Sequence, residues 1–440
     1  MHIFFSGIGG AGIGPLAQIA HQAGLEVSGS DKQSSNYIDY LKKHGITDIH
    51  IGQSKDQIAK LNNKQPIDWY VYSSAVAIEQ PNSPEIEYCR ENSIKVSKRD
   101  ELINFIVSEK KLKLIAVAGT HGKTTTTAMV VWLFKQLGLN LTYLLPAKTS
   151  FGQMGEYDAK SEYFVVEADE FDRNFLSFEP YISLITGVSW DHHEIFPTRE
   201  DYQLAFKEFI SQSNHTLIWQ DDAQYLGVEE ADGVTALNPQ LDEINNIKLF
   251  GQYNRLDAFL AVSGISKLTK VNTSKLIELA NKFPGLSRRM EEIIPNLYSD
   301  YAHTPEKIRG AISVASELAS SKNQDVVVIY EPLTDRRQHY ILDNYGDSFN
   351  GVEIVYWLPS YLAREDPNQK VLAPEEIIEH LVNPAIAKPT TREELPEIIK
   401  KHLKDGDMIV CLNGGGGGGL DEWLRENAKG LVGYYLLGKE

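Results

Sequence analysis

Short apolar runs alternate along this chain with longer stretches of helical period, and glycine, proline or a capping residue separates them. Near the N-terminus "HIFFSG" (residues 2–7) reads as a strand, "AGIGPLAQIAHQAG" (11–24) as a helix ending at a glycine, and "LEVSGSD" (25–31) as a second strand; "DWYVYSSAV" (68–76) is a later strand of the same kind. "LKLIAVAG" (112–119) opens a second block, and "EYFVVEAD" (162–169) and "YISLITGVS" (181–189) are apolar enough to be buried central strands. Between them the stretch from Thr124 to Leu137 predicts a helix apolar on nearly all sides, and therefore packed between layers. A third block carries the strands "DVVVIYEP", "GVEIVYWLP" and "GDMIVCLNG" and the helices "TPEKIRGAISVASELASS" and "REELPEIIKKHL". Strands alternating with helices predict an α/β fold with parallel, doubly wound sheets. The expected blocks are 1–110, 111–283 and 284–440.

Composition narrows the class. At ~100–200 residues per domain, 440 residues allow two to four domains, with three the central value. Hydrophobic residues make up 42% and charged residues 23%, as in ordinary globular proteins. No apolar run approaches the ~18 residues of a membrane span, and the start of the chain lacks the basic segment of a signal peptide. The two cysteines, Cys89 and Cys411, lie far apart, so neither a disulfide framework nor a metal spacing is present, which fits a reducing cytoplasm. A net charge of −17 with no basic stripe argues against a nucleic-acid partner.

The candidate chemistry is concentrated where strands end. "GTHGKT" joins a strand to a helix: Gly119 and Gly122 let backbone N–H groups close around phosphate oxygens, Lys123 can reach the β/γ-phosphates, and the Thr124 hydroxyl can ligate Mg²⁺. The spacing is a shortened P-loop, with Val117 where the longer form has its first glycine. A second glycine turn, "GIGGAG", holds Gly7, Gly9 and Gly12, with Asp31 after the next strand. It is compatible with NAD, with another nucleotide diphosphate, or with close strand–helix packing. "VVEADEFD" delivers Glu167, Asp169, Glu170 and Asp172 at a strand end, where Glu167 can ligate Mg²⁺ as a hard oxygen donor. "VSWDHHEIF" delivers Asp191, His192 and His193 at the next, with His192 the candidate for a second metal. The glycine run 414–419 reads as a flexible turn.

The motifs "GIGGAG", "SGSD", "GTHGKTTTTAM", "EADEFD", "WDHHEIF", "GQYNRLDA", "FPGLSRRME" and "DYAHTP", in this order and over nearly the whole chain, resemble those of the Mur ligases. The resemblance implies three domains: a Rossmann-like one for a UDP-sugar, a P-loop one for ATP, and a Rossmann-like C-terminal one for an amino acid. The UDP-sugar would then lie at Gly7, Gly9, Gly10, Gly12, Asp31, Ser73 and Ser74. ATP would lie at Gly119, Thr120, His121, Gly122, Lys123, Thr124, Thr125, Asn254, Asp257, Arg289 and Asp300. Thr124, Glu167 and His192 would hold the metal. Lys123, Glu167, His192, Arg289, Asp300 and His303 would carry catalysis, and Arg337 with His303 would receive the amino acid.

The reaction implied is joining of L-alanine to the lactyl carboxylate of UDP-N-acetylmuramate through an acyl phosphate. A ligase adding a preformed tripeptide to the same sugar, or a non-catalytic ATP-binding relative, are the alternatives. A monomer or weak homodimer is expected. The chain departs from the family pattern at Tyr253 (for a histidine), Asp257 (for an asparagine) and Thr304 (for a second histidine). Lys207 stands where some relatives carry a carbamylated lysine.

Overall fold

A computed structural model describes the chain except residues 74–75, 77–81, 193–194, 361, 363–368, 415–418 and 437–440, and except the side chains of 336, 429 and 432–436. Ser74, His193 and most of the glycine run thus lie outside the described residues. Packing divides the rest into two compact units, Met1–Lys248 with Leu256–Pro284, and Leu249–Arg255 with Gly285–Glu440.

The first unit holds two sheets. Strands β1 (His2–Ser6), β2 (Glu26–Asp31), β3 (Ile49–Ile51), β4 (Trp69–Tyr72) and β5 (Lys95–Lys98) pair in the order β3-β2-β1-β4-β5, all parallel. All five residues of β1 are buried, which is why its centre, residues 3–5, is a continuous apolar stretch rather than an alternation. The second sheet comprises β6 (Lys113–Ala118), β7 (Thr142–Leu144), β8 (Gly155–Glu156), β9 (Tyr163–Glu167), β10 (Ile182–Ile185), β11 (Thr216–Trp219) and β12 (Val234–Leu237). Its order is β12-β11-β10-β6-β9-β7-β8, with only β8 antiparallel. In both sheets the first strand lies inside, flanked by β2 and β4 or by β9 and β10, so its carboxyl end is a topological switch point where α/β proteins bind ligands.

The helix after β6 runs Lys123–Gln136, one residue earlier at each end than the apolar pattern suggests. Thr126–Val131, Leu133 and Phe134 are buried, and Trp132 donates from Nε1 to the Leu279 carbonyl at 2.8 Å. A helix covered this thoroughly cannot shift without opening the core, so its first turn is a rigid platform.

The second unit contains one sheet of β13 (Glu291–Ile294), β14 (Leu297–Asp300), β15 (Val326–Glu331), β16 (Ile354–Trp357), β17 (Ala387–Pro389) and β18 (Met408–Asn413), in the order β13-β14-β18-β15-β16-β17. All pairs are parallel except β13 with β14. Every residue of β15 and β18 is buried, and helices cover both faces.

One buried acid in the first unit has a measurable consequence. Glu85, 1% exposed, accepts from Ser30 Oγ (2.9 Å), Tyr70 Oη (3.1 Å) and Ser6 Oγ (3.4 Å), all on Oε2. Burial pushes its carboxyl up to about 7, against the three hydroxyl donors. The unfolded chain therefore loses this proton near its ordinary pKa while the folded chain keeps it, so stability falls as pH rises between the two values. Glu85→Gln is expected to remove this slope; the wild-type minus variant difference in thermal stability should change by up to about 3 kcal/mol between pH 4.5 and 7. A pH-independent difference would show that Glu85 ionises normally.

Candidate functional site

The turn after β6 needs its glycines. Gly119 adopts φ +133° and Gly122 φ +80°, backbone regions that side chains disfavour. A Cβ on Gly119 would run into Thr186 Oγ1 and the Gly187 carbonyl, and one on Gly122 into the Asp257 carboxyl group. Between them, the Thr120 amide donates to the Gly187 carbonyl at 2.9 Å. The Thr120 hydroxyl donates to the Ser189 carbonyl (2.8 Å) and accepts from the Ser189 amide (2.9 Å) and from Tyr202 Oη (2.8 Å). The hydroxyl of Thr120 is thus spent inside the protein, and Tyr202, which sequence reasoning missed, ties the turn to the segment that leads to His192. Thr186 Oγ1 also donates to the His121 carbonyl. Thr124 and Thr125 sit in the first helical turn, partly buried.

Lys123 lies across this turn. Its ammonium donates to the Gly119 carbonyl at 2.6 Å and to Glu170 Oε2 at 2.7 Å, with Asp169 Oδ1 at 4.0 Å. Burial pulls the lysine pKa down, but Glu170, Asp169 and Glu167 outweigh it and hold the ammonium charged. Glu170 is fully buried; burial would neutralise it, yet Lys123 and His192 keep its carboxyl below the usual range. His192 Nε2 stands 3.5 Å from Glu170 Oε1, and the acid raises the imidazole pKa against the effect of burial. The His192 backbone is left-handed (φ 54°), its carbonyl accepting from the Ile195 and Phe196 amides.

Ligand atoms of Asp169, Glu170 and His192 lie within 4.8 Å of one another. Two carboxylates and an imidazole beside a phosphate-type turn suit a hard dication such as Mg²⁺. Sequence reasoning named Thr124, Glu167 and His192 for that role. The structure brings Asp169 and Glu170 to His192, with Glu167 close enough to act on the Lys123 charge. The signal available was the succession of acids directly after an apolar strand.

Asp257 abuts Gly122 and is buried; burial drives its carboxyl well above the ordinary value, opposed by a contact with Thr126. A protonated carboxyl offers a donor and an acceptor, as the asparagine of the family pattern would. Lys207 is exposed on the Arg199–Ser211 helix.

The turn after β1 is organised differently. Gly7 (φ +75°) and Ile8 donate their amides to the Ser30 carbonyl at 2.8 and 3.1 Å. Asp31 accepts from the Gly9 amide at 2.8 Å and from the Gln33 amide at 3.3 Å, so its carboxylate shapes the turn itself. The Gly10 amide donates back to the Gly7 carbonyl at 3.0 Å. Ser73 follows β4 and accepts from the Val76 amide.

In the second unit, Arg289 lies over the Tyr301 ring (5.2 Å), and burial raises the Asp300 carboxyl although Arg289 opposes it. Asp300 Oδ2 accepts from the Met290 amide at 2.8 Å. His303, 5% exposed, has Nδ1 2.8 Å from the Tyr301 carbonyl. Burial, with Lys307, Arg337 and Arg289 nearby, pulls it down to about 3, so the imidazole is neutral with Nδ1–H as donor to that carbonyl. Arg289, Asp300, His303 and Arg337 are therefore drawn into one electrostatic neighbourhood. Gly414 packs against Leu333 and His303, where any side chain would collide. Asn254 donates from Nδ2 to the Phe250 carbonyl (2.8 Å), and the Tyr253 ring is 69% exposed.

Comparison with known proteins adds independent findings. The family model described as "Mur ligase family, catalytic domain" matches residues 2–111, and that described as "Mur ligase middle domain" matches 117–238. A UDP-N-acetylmuramate–L-alanine ligase of Clostridium acetobutylicum is 28% identical, covering 94% of this chain and 95% of its own. The enzyme of the same name from Roseiflexus sp. is also 28% identical, over 95% and 97%. The crystal structure of UDP-N-acetylmuramate–alanine ligase from Thermotoga maritima superposes with a TM-score of 0.74 at 23% identity, over the whole of both chains. A murein peptide ligase from Psychrobacter arcticus gives 0.64 at 20%, over 98% of each.

Proposed function

This chain belongs to the Mur ligase family, and from that premise we propose that it joins L-alanine to the lactyl carboxylate of UDP-N-acetylmuramate at the expense of ATP. The observation that carries the site assignment is the Lys123 ammonium, largely covered and charged between the Gly119 carbonyl and Glu170 at the carboxyl end of β6.

The chemistry follows from what these residues can do. A carboxylate at neutral pH is a poor acyl electrophile, and transfer of the γ-phosphoryl group of ATP to it creates an acyl phosphate with a good leaving group. Phosphoryl transfer asks a protein mainly for positioning and charge neutralisation. Lys123 supplies the positive charge, while Gly119 and Gly122 allow the main chain to approach the phosphates. Asp169, Glu170 and His192 would hold Mg²⁺, which when bound screens the phosphate charges. The amine of alanine then attacks the acyl phosphate, and inorganic phosphate leaves. Arg337 grips the amino-acid carboxylate through its planar guanidinium. Neutral His303, pulled down to about 3, keeps only a weakly basic Nε2 at pH 7, so its main part is positional. Among the described residues no helix is long and apolar enough to cross a membrane, and the nucleotide substrates are those of the cytoplasm, where we place the reaction.

Phosphate release with ATP, Mg²⁺ and UDP-N-acetylmuramate tests the proposal, each amino acid and the tripeptide L-alanyl-γ-D-glutamyl-meso-diaminopimelate being offered singly. Release is expected with L-alanine. Release with the tripeptide alone would make the chain a peptide-adding ligase, and none with any acceptor would make it a non-catalytic relative.

A further inference from the structure

The N-terminal glycine turn has too few free amides to hold an anion unaided. The amides of Gly7, Ile8, Gly9 and Gly10 are all committed to Ser30, Asp31 and Gly7. Those of Ile13 and Gly14 donate to the Gly10 carbonyl. Among the described residues this leaves Ala11 and Gly12, and the Asp31 carboxylate on Gly9 adds negative charge to the turn.

A cation stands at that gap. A Cβ on Gly12 would lie 2.8 Å from Nη1 of Arg99, so the guanidinium rests where a side chain on the turn would be. Arg99 opens the Arg99–Glu109 helix directly after β5, and its side chain is 17% exposed. Its ion pair among the described residues is with Asp100, through Nε at 3.5 Å, and among those residues neither terminal nitrogen makes a hydrogen bond. Unpaired donors on a mostly covered guanidinium are costly unless a ligand completes them. The adjacent Lys98 is already committed, to Asp172 and to Asn174 Oδ1 (3.4 Å).

Resting on the reading above, we propose that Arg99 is a substrate-binding residue whose two terminal nitrogens grip the diphosphate of the UDP-sugar against the Ala11–Gly12 main chain. A planar fork of N–H donors matches phosphate oxygens at two points, which a lysine cannot reproduce. Gly12 is glycine because the guanidinium occupies the space of a side chain.

Calorimetric titration of wild type, Arg99→Ala and Arg99→Lys with uridine, UDP, UDP-N-acetylglucosamine, UDP-N-acetylmuramate and ATP tests this. Arg99→Ala should weaken UDP and both UDP-sugars by roughly ten- to a hundredfold, leaving uridine and ATP unchanged. Arg99→Lys should recover part of the loss. Unchanged UDP affinity in Arg99→Ala overturns the proposal. So does a loss confined to UDP-N-acetylmuramate, which would move Arg99 to the lactyl carboxylate, and so does an equal loss for ATP, the mark of a structural role. Wild type that binds UDP tightly but releases no phosphate with any acceptor would sink the ligase reading and leave the Arg99 assignment standing. Wild type indifferent to UDP would remove both.

Discussion

Lys123→Ala is expected to lower substrate-dependent phosphate release by about a thousandfold or more, while the chain still folds. The ammonium lies largely covered at the turn, 2.6 Å from the Gly119 carbonyl and 2.7 Å from Glu170, and nothing else in the first helical turn can replace its charge. The variant has a second effect that must be separated from the first. Without Lys123, Glu170 is left buried with His192 as its remaining ionic partner among the described residues, and removing one member of a buried pair typically costs about 3–5 kcal/mol unless the stranded group changes its protonation. The double variant Lys123→Ala/Glu170→Gln removes the stranded charge. It should regain thermal stability relative to Lys123→Ala and remain as inactive. Steady-state phosphate release and thermal unfolding on the three proteins decide the matter. Activity within tenfold of wild type in Lys123→Ala would show that the phosphoryl charge is met elsewhere.

The second large effect is expected at Gly122→Ala. Alanine at φ +80° pays roughly 1–2 kcal/mol of backbone strain. Its Cβ would also be driven into the carboxyl group of Asp257, and overpacking of this kind adds about 1–3 kcal/mol. The turn can relieve both only by moving, which displaces Lys123 from the Gly119 carbonyl. ATP affinity should fall at least about a hundredfold, a displacement of roughly an ångström being enough for such a loss, and the melting temperature should drop. Adding Asp257→Gly removes the collision but not the strain, so the double variant should recover part of the stability. Full recovery would assign the whole cost to the collision, and no recovery would assign it to the backbone. ATP binding by calorimetry, unchanged in Gly122→Ala, would mean that the turn does not hold the nucleotide.

Much of the fold was legible because it rests on local physics. β6, β9 and β10 appear as apolar runs since parallel strands covered on both faces need apolar residues at every position. The ends of those runs locate the site, because a chain leaving a central strand must turn at the carboxyl edge of the sheet. Glycine at 119 and 122 and lysine at 123 were readable for the same reason. The pairings that make the site specific were not readable. Tyr202 and Thr120 are 82 positions apart, and nothing near either predicts the contact. The role of Asp31 in holding Gly9 was read from its spacing as a ligand contact, whereas its carboxylate is used within the protein.

The acids after β9 show where the division falls. Sequence alone determined that a cluster of carboxylates follows a buried strand beside a lysine-bearing turn, because strand burial and turn chemistry are written in neighbouring residues. Which acid meets the lysine was decided by the tertiary fold. Beyond Glu167 the chain leaves the sheet, Glu170 turns into the interior against Lys123, and the backbone bends directly after it, with Asp172 and Arg173 both left-handed at φ 55° and 54°. Burial then sets the charges: Glu170 stays ionised because the Lys123 ammonium faces it, and Asp257, with no cation opposite among the described residues, is pushed toward its neutral form. Such protonation states depend on what the folded chain brings within a few ångströms, and that distance is a property of the packed structure alone.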